Sequence, residues 1–203
     1  MMNPAFLKSF IDELIDVYKS NKIFKFVHIP IQSGSDKVLN HMKRGYTVKD
    51  FMKIVKKFKK IFKKITISTD VIVGYPTETE EDFNKTVRVL KKIKPDIVNL
   101  SKFGPRPMTE ASKLKRLDPN TVNERSKKLY ELIRELSFEQ NKKWKNWRGK
   151  VLIDETGKQK NDWIGRNFAY KPIVIKSKEK LLGKFVNVKI TEISSNFLFG
   201  KVC

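Results

Sequence analysis

Ile65-Thr-Ile-Ser-Thr-Asp-Val-Ile-Val-Gly74 runs straight into Tyr75-Pro-Thr-Glu-Thr-Glu80, and this junction decides the fold. The first stretch reads as a strand, and Val71-Ile-Val73 is the apolar run expected of a parallel strand covered on both faces. Gly74 and Pro76 break it. Thr77-Glu-Thr-Glu80 supplies a capping-box start for a helix reaching about Lys94, with Phe83, Val87 and Leu90 inward. Pro95 closes that helix, and Asp96 to Phe103 is the next strand. Upstream, Phe24 to Ile31 is a strand halted by Pro30 and the polar Gln32-Ser-Gly-Ser35 loop. A short helix around Asp36 to Met42 follows, ended by Gly45. From Thr47, residues Val48, Phe51, Met52, Val55, Phe58 and Phe62 form one apolar stripe while Lys49, Lys53, Lys56, Lys57, Lys60 and Lys63 fill the rest. Between two strands this is a crossover helix with a cationic outer face. Two successive strand–helix–strand units define an α/β architecture with right-handed crossovers.

The flanks complete the plan. Pro4 to Lys19 is an amphipathic helix capped by Asn3. After Gly104-Pro-Arg-Pro107, a long helix from about Asn120 to Trp147 links two domains. Beyond Gly149 the texture changes to short β-rich runs at Val151–Ile153, Tyr170–Ile175, Phe185–Ile193 and Phe197–Val202, for which a small closed β-barrel is the economical fold. The expected boundaries are residues 1–118, a linking helix over 119–147, and a barrel over 148–203.

The chain has 203 residues, with 44 Lys+Arg against 22 Asp+Glu, a net charge of +22. A polyanionic partner is the natural reading, since each phosphate neutralised releases a condensed counterion; a lysine-rich proteome is the plain alternative. No apolar run reaches the length of about 18 residues that a membrane span needs. The first helix carries Asp12, Glu13 and Asp16, which argues against a secretory signal, so a cytoplasmic protein is expected. The single cysteine, Cys203, supports no disulfide framework and no cysteine-ligated metal.

Parallel strands bring their C-terminal loops to one rim, where loops distant in sequence can close on a single ligand. Gln32-Ser33-Gly34-Ser35 offers an amide, two hydroxyls and a close-approach glycine, suited to ribose hydroxyls or a carboxylate, or simply to a helix cap. Asp70 must meet a cation, a donor set or a ligand, because an unpaired carboxylate within an apolar strand costs several kcal/mol. Gly74 to Glu78 turns sharply, leaving Glu78 either to stabilise a helix dipole or to accept from an adenosine. Arg106, stiffened between two prolines, suits phosphate or carboxylate, and Arg44 is a second such candidate. His28 and His41 have neither a nucleophile nor a metal partner at recognisable spacing. From Arg148 onward, 12 Lys+Arg face 5 Asp+Glu, interleaved with Phe168, Tyr170, Phe185, Phe197 and Phe199. Such cationic barrels with aromatic platforms bind single-stranded or looped nucleic acid. Arg166, Phe168, Tyr170 and Lys171 are the leading RNA contacts, with Lys150, Lys184 and Lys189 beside them.

His28-Ile-Pro-Ile-Gln-Ser-Gly-Ser35, Met42-Lys-Arg-Gly-Tyr46, Thr69-Asp-Val-Ile-Val-Gly-Tyr-Pro-Thr-Glu-Thr79 and Arg106-Pro-Met-Thr109 occur in the order seen in radical-SAM tRNA methylthiotransferases, which this chain resembles. The tail resembles their TRAM domain. The archaeal or eukaryotic-like flavour is similar to the branch that 2-methylthiolates N6-threonylcarbamoyladenosine at tRNA position 37. The resemblance implies the C-terminal half of a radical-SAM parallel α/β barrel followed by an OB-like TRAM barrel. It further implies S-adenosyl-L-methionine as cofactor, tRNA as partner, and 4Fe-4S clusters whose cysteine ligands this chain lacks. On this resemblance the chain is a truncated or split methylthiotransferase, active only with an N-terminal half supplied, a separately encoded one being one source; the alternative is a non-catalytic RNA-binding module. By the same resemblance Gln32, Ser33, Gly34 and Ser35 line the ribose or methionyl end, Asp70 and Gly74 to Glu78 surround the adenosine, and Phe103 closes over it. Met108 stands where the family usually has glycine. Half a barrel is expected to leave an unpaired strand edge and an apolar inner face, and therefore to self-associate.

Overall fold

A computed structural model describes all residues from Met1 to Cys203. The first domain is a three-stranded parallel sheet in the order β1 (Phe26–His28), β2 (Thr66–Val73), β3 (Ile97–Lys102). Helix α1 (Pro4–Tyr18) precedes β1; α2 (Asp36–His41) and α3 (Val48–Ile61) connect β1 to β2, and α4 (Glu80–Ile93) connects β2 to β3. Asn3 caps α1, accepting from the Ala5 amide, while Thr47 with Asp50 and Thr79 with Asp82 form reciprocal capping boxes on α3 and α4. Each of these pairs satisfies N–H groups that the first helical turn leaves free. Helix α3 buries Phe51, Ile54, Val55 and Phe58 against the sheet and turns its lysines outward.

The opposite face of the sheet carries a polar cluster toward its C-terminal end, while Thr66 and Ser68 nearer its N-terminal end are buried. Residues directly opposite or two apart along a strand share a face. This face therefore carries His28, Ser68, Asp70 and Asn99, while Ile67, Val71 and Val73 point into the helical layer and are at most 1% exposed. Val71-Ile-Val73 is thus covered on one side only. The expected apolar inner face is instead mixed, since Phe26, Ile72 and Ile97 share it with these polar residues. The β1 edge is likewise engaged: the Met2 amide donates to the His28 carbonyl at 2.8 Å and the Tyr18 hydroxyl to that of Phe26 at 3.0 Å.

The second domain is a closed five-stranded barrel, β4 (Arg148–Thr156), β5 (Asp162–Arg166), β6 (Pro172–Lys176), β7 (Phe185–Ile193) and β8 (Leu198–Val202), closing in the order β4-β5-β6-β8-β7. Its core is built from Val151, Ile153, Ile173, Ile175, Val188, Ile190 and Leu198. Strand β5 is not among the β-rich runs of the sequence; Gly165 interrupts its short apolar pattern.

Helix α5 (Pro119–Lys142) packs along β3 and β2, so it belongs to the covering layer of the first domain as well as leading to the barrel. It ends before the expected Trp147, because Trp144 and Trp147 fold over each other edge-to-face at 5.6 Å and pack on Phe168. The barrel sits at the N-terminal ends of the sheet strands. Lys171 Nζ lies 2.8 Å from Asp96 Oδ1 and donates to Asn141 Oδ1 at 2.9 Å, and both Lys171 and Asp96 are buried. Asp96 also accepts from the Ile67 amide, Ser137 donates to the Asp96 carbonyl, and Asn141 donates to the carbonyls of Ser194 and Ser195. Tyr170, at φ +60°, inserts its ring against Phe24 and Phe26. The Lys25 amide donates to the Phe168 carbonyl at 2.7 Å.

Candidate functional site

The loops after β1, β2 and β3 all lie at the C-terminal end of the sheet, opposite the docked barrel. They form one rim above the polar cluster on the sheet's inner face. Within that face Asp70 is the hub: His28 Nε2 donates to its Oδ1 at 2.7 Å and Asn99 Nδ2 to the same oxygen at 2.8 Å. A carboxylate only accepts, so the shared proton resides on the imidazole Nε2. Asp70 therefore meets a donor set within the protein, and that set was not visible in the sequence: it depends on the β2–β3 register placing Asn99 opposite Asp70. His28 enters the site as its orienting donor.

The Gln32–Ser35 loop divides its labour. Gln32, at φ +66°, continues the sheet, donating to the Asp70 carbonyl and accepting from the Ile72 amide. Ser33 Oγ accepts from the Ser35 amide, Ser35 Oγ donates to Asp82 Oδ1 at 2.6 Å, and the Gly34 amide donates to Thr86 Oγ1 at 2.8 Å. A Cβ on Gly34 would collide with the Thr86 backbone, so this glycine permits the approach of α4 rather than of a ligand. Ser33, Gly34 and Ser35 thus build the floor beneath the rim instead of presenting hydroxyls on it. Glu78 is buried as well: it accepts from the Gly74 amide at 3.1 Å and pairs with Arg125 Nη1 at 2.9 Å. Burial raises the Glu78 carboxyl even though the Gly74 amide and the Arg125 guanidinium pull it down. Its role is to hold the Gly74 turn, where φ is +80°, and not to face a nucleoside.

Toward the open side lie Asp70 with His28 and Asn99, Arg44, and Phe103, which packs edge-to-face on the buried Tyr75 at 5.1 Å; Gln32 is buried, and Gly74 packs against Val122 of α5. Arg44 lies near Tyr46 and Tyr75, and its Nε is buried without a hydrogen-bond partner. An unpaired buried donor is costly, so it marks a place for an acceptor. Tyr46, whose hydroxyl donates to the Pro30 and Ile31 carbonyls, is pushed up to about 12 by burial and stays neutral. Arg106 is exposed on the third loop. Met108 occupies φ +63° and is fully exposed, so the loop keeps the left-handed turn a glycine takes freely. Such a residue costs about 1–3 kcal/mol in strain.

Asp82 anchors this floor. Burial raises its carboxyl, but hydrogen bonds from Ser35 and Thr79 and the charge of Lys37 outweigh burial and hold it at about 2. A carboxyl depressed in the folded state contributes stability above its ordinary value, and that contribution is lost as pH falls through the depressed one. Denaturant midpoints should therefore fall between about pH 4 and pH 2, and Asp82→Asn should flatten the curve in that window. An unchanged slope in the variant would remove Asp82 from this role.

The expected RNA contacts fall into two groups. Lys171 is buried in the interdomain ion pair, and Arg166 pairs with Asp154 and Glu155 while stacking over Tyr170. Phe168 and Tyr170 pack in the domain interface. Lys171 is a correction, because its charge is spent on buried Asp96; Arg166 is neutralised within the barrel, while Phe168 and Tyr170 keep 44% and 37% exposure beside the interface they pack in. Lys150 and Lys184 are exposed and Lys189 half-buried on the barrel.

Residues 2–90 match the Radical SAM superfamily and residues 149–203 match the TRAM domain. The chain thus carries a radical-SAM segment joined to a TRAM barrel, the class that its half-open parallel sheet and closed β module define. Over its whole length it is similar to threonylcarbamoyladenosine tRNA methylthiotransferases. It is 42% identical to a probable enzyme of that name from Pyrococcus horikoshii and 41% identical to one from Archaeoglobus fulgidus, covering 100% of this chain and 47% of each relative. The Drosophila melanogaster threonylcarbamoyladenosine tRNA methylthiotransferase is 34% identical across 100% of this chain and 36% of its own length. The chain accordingly spans about half the length of the archaeal relatives it matches. Among solved structures, coproporphyrinogen III oxidase from Escherichia coli, a radical SAM enzyme, aligns with a TM-score of 0.54 at 13% identity, over 94% of this chain and 48% of that one. That likeness concerns the fold alone.

Proposed function

We propose that this chain is the part of a radical-SAM tRNA methylthiotransferase that supplies one side of the S-adenosyl-L-methionine pocket and a grip on tRNA. The reaction is 2-methylthiolation of N6-threonylcarbamoyladenosine at position 37, work done in the cytoplasm. The observation that carries the reading is the convergence of three loops on one rim over a polar cluster of the sheet, in a chain whose second domain is a TRAM barrel.

The residues at the rim fit S-adenosyl-L-methionine. Arg44 Nε offers an unpartnered donor to its carboxylate, Phe103 backed by Tyr75 offers an apolar wall, and the Asp70–His28–Asn99 cluster offers acceptors and donors for ribose and base. When bound, this cofactor supplies the methyl group and the radical chemistry. The chain's own share is to orient it, exclude water and fix the His28 proton on Nε2 toward Asp70. The residues do not fit a 4Fe-4S cluster: no group of three or more His, Cys, Asp or Glu converges, and Cys203 is exposed. Cluster ligands must come from elsewhere, and on this reading from an N-terminal half.

The test is to mix this chain anaerobically with a separately produced, cluster-loaded N-terminal half of an archaeal relative. The reading predicts a stable complex and 2-methylthio product on modified tRNA by mass spectrometry. Failure to associate, with tRNA binding intact, leaves the non-catalytic RNA-binding module as the function.

A further inference from the structure

The barrel carries a cationic ladder whose geometry the fold itself does not explain. Strand registers place Arg148 directly opposite Lys189, and Lys189 directly opposite Lys201, so three like charges stand in one row across β4, β7 and β8. Directly opposite side chains lie about 5 Å apart, and like charges in that relation destabilise a sheet. The barrel's ion pairs are made by Arg166 and Lys171, and none is made by this row. On the same outer face the next rung is Lys150 opposite Asn187 and the one after is Leu152 opposite Phe185. Rungs two residues apart are separated by about 7 Å. Phe185 is 70% exposed, the most exposed ring among the barrel's large hydrophobic side chains, and Phe199 follows Leu198 on the outer side of β8 at 37%. Glu192, opposite Phe199, is the one acid facing the array on β7 and β8.

We infer that this β4–β7–β8 face is the RNA-binding surface of the barrel, with Arg148, Lys189 and Lys201 taking phosphates and Phe185 stacking an unpaired base. A repelling row beside an uncovered aromatic ring is what a cationic groove with a stacking platform requires, and a polyanion relieves the repulsion. Arg166 lies on the Leu152–Phe185 rung of the same face, but Asp154 and Glu155 neutralise it, and Lys171 is buried against Asp96, so neither adds a free cation to the array. The inference rests on the RNA-binding reading above and deepens it.

The experiment measures binding of a labelled anticodon stem-loop RNA to the full chain across a salt series. Three forms are compared with the native chain: Arg148→Gln/Lys189→Gln/Lys201→Gln, Phe185→Ala, and a charge-matched control on α3, Lys49→Gln/Lys53→Gln/Lys56→Gln. Each phosphate contact adds about 0.7 to the salt slope for a single strand. The barrel triple variant should therefore lose about 2 from the slope of log affinity against log salt, and the α3 control should lose little. Phe185→Ala should weaken binding about tenfold with the slope unchanged, since stacking carries no counterion release. Without RNA, the barrel triple variant should melt no lower than the native chain. Equal losses in the barrel and α3 triples, native binding by Phe185→Ala, or a lower melting temperature for the barrel triple would each overturn the assignment. If the native chain binds no RNA, the RNA-binding reading itself fails.

Discussion

Lys171→Met is expected to destabilise the chain by about 3–5 kcal/mol, because it leaves the Asp96 carboxylate buried without its cation. Methionine preserves the volume of the stem, so the loss reports the charge. Asp96 keeps the Ile67 amide as a donor, but a single backbone N–H does not replace an ammonium held at 2.8 Å. Asn141 simultaneously loses the donor to its Oδ1, which loosens its hold on the carbonyls of Ser194 and Ser195. The barrel should therefore undock as well as the whole chain weaken, and solution scattering should show a larger radius of gyration. Replacing both partners, Lys171→Met with Asp96→Asn, should recover part of the loss, since no unpaired charge then remains. A denaturation midpoint unchanged from the native chain, together with an unchanged radius, would falsify the latch.

The second large effect is at Arg125. This guanidinium lies over the Phe83 ring, donates through Nη1 to Glu78 Oε1 and to the Glu78 carbonyl, and through Nε and Nη2 to Glu80 Oε2. It fastens α5 to the loop that turns at Gly74. With Arg125→Met, Glu78 is left buried with only the backbone donors of Gly74 and Tyr75, and a carboxyl already raised by burial rises further. The expected cost is again about 3–5 kcal/mol. Because a protonated Glu78 needs no cation, the deficit should shrink as pH falls toward the carboxylate range. Arg125→Lys should recover only part of the stability, as a point charge cannot reach both glutamates in a fork. Hydrogen exchange at the Gly74 amide is the local readout: accelerated exchange in Arg125→Met is expected, and native protection there would show that Arg125 does not hold the rim loop.

The two contacts explain where sequence reasoning succeeded and where it stopped. The alternation of strand and helix around Gly74, the caps at Thr47 and Thr79, and the apolar stripe from Val48 to Phe58 are local signals, and the parallel sheet follows from them. So does the arrival of three loops at one rim, because parallel connectivity leaves them nowhere else to lie. Partnerships across the chain are a different matter. Arg125 and Glu78 are 47 positions apart, and Lys171 and Asp96 are separated by a domain boundary. Nothing in the neighbourhood of either residue announces its mate. A lysine beside two aromatics reads as an RNA contact until the fold shows an acid buried beneath it. The mixed inner face is the intermediate case. Asp70 and Ile72 are the half-buried positions between buried Thr69, Val71 and Val73, a period of two that marks which face is less covered; the apolar run concealed it.

The position of the barrel sets a gauge. Along helix α5 the Arg125 clamp near the loops and the Asn141 contact beneath the barrel lie 16 residues, and therefore about 24 Å, apart. One anchor is a buried ion pair and the other a set of hydrogen bonds to the barrel, so the separation is fixed by the helix between them. A free nucleotide or a short oligomer can therefore satisfy one end and never the other. On the function proposed above, a folded nucleic acid with an arm of comparable reach is the partner that would touch both, and molecular length would then act as a first criterion of selection, applied before any base is inspected.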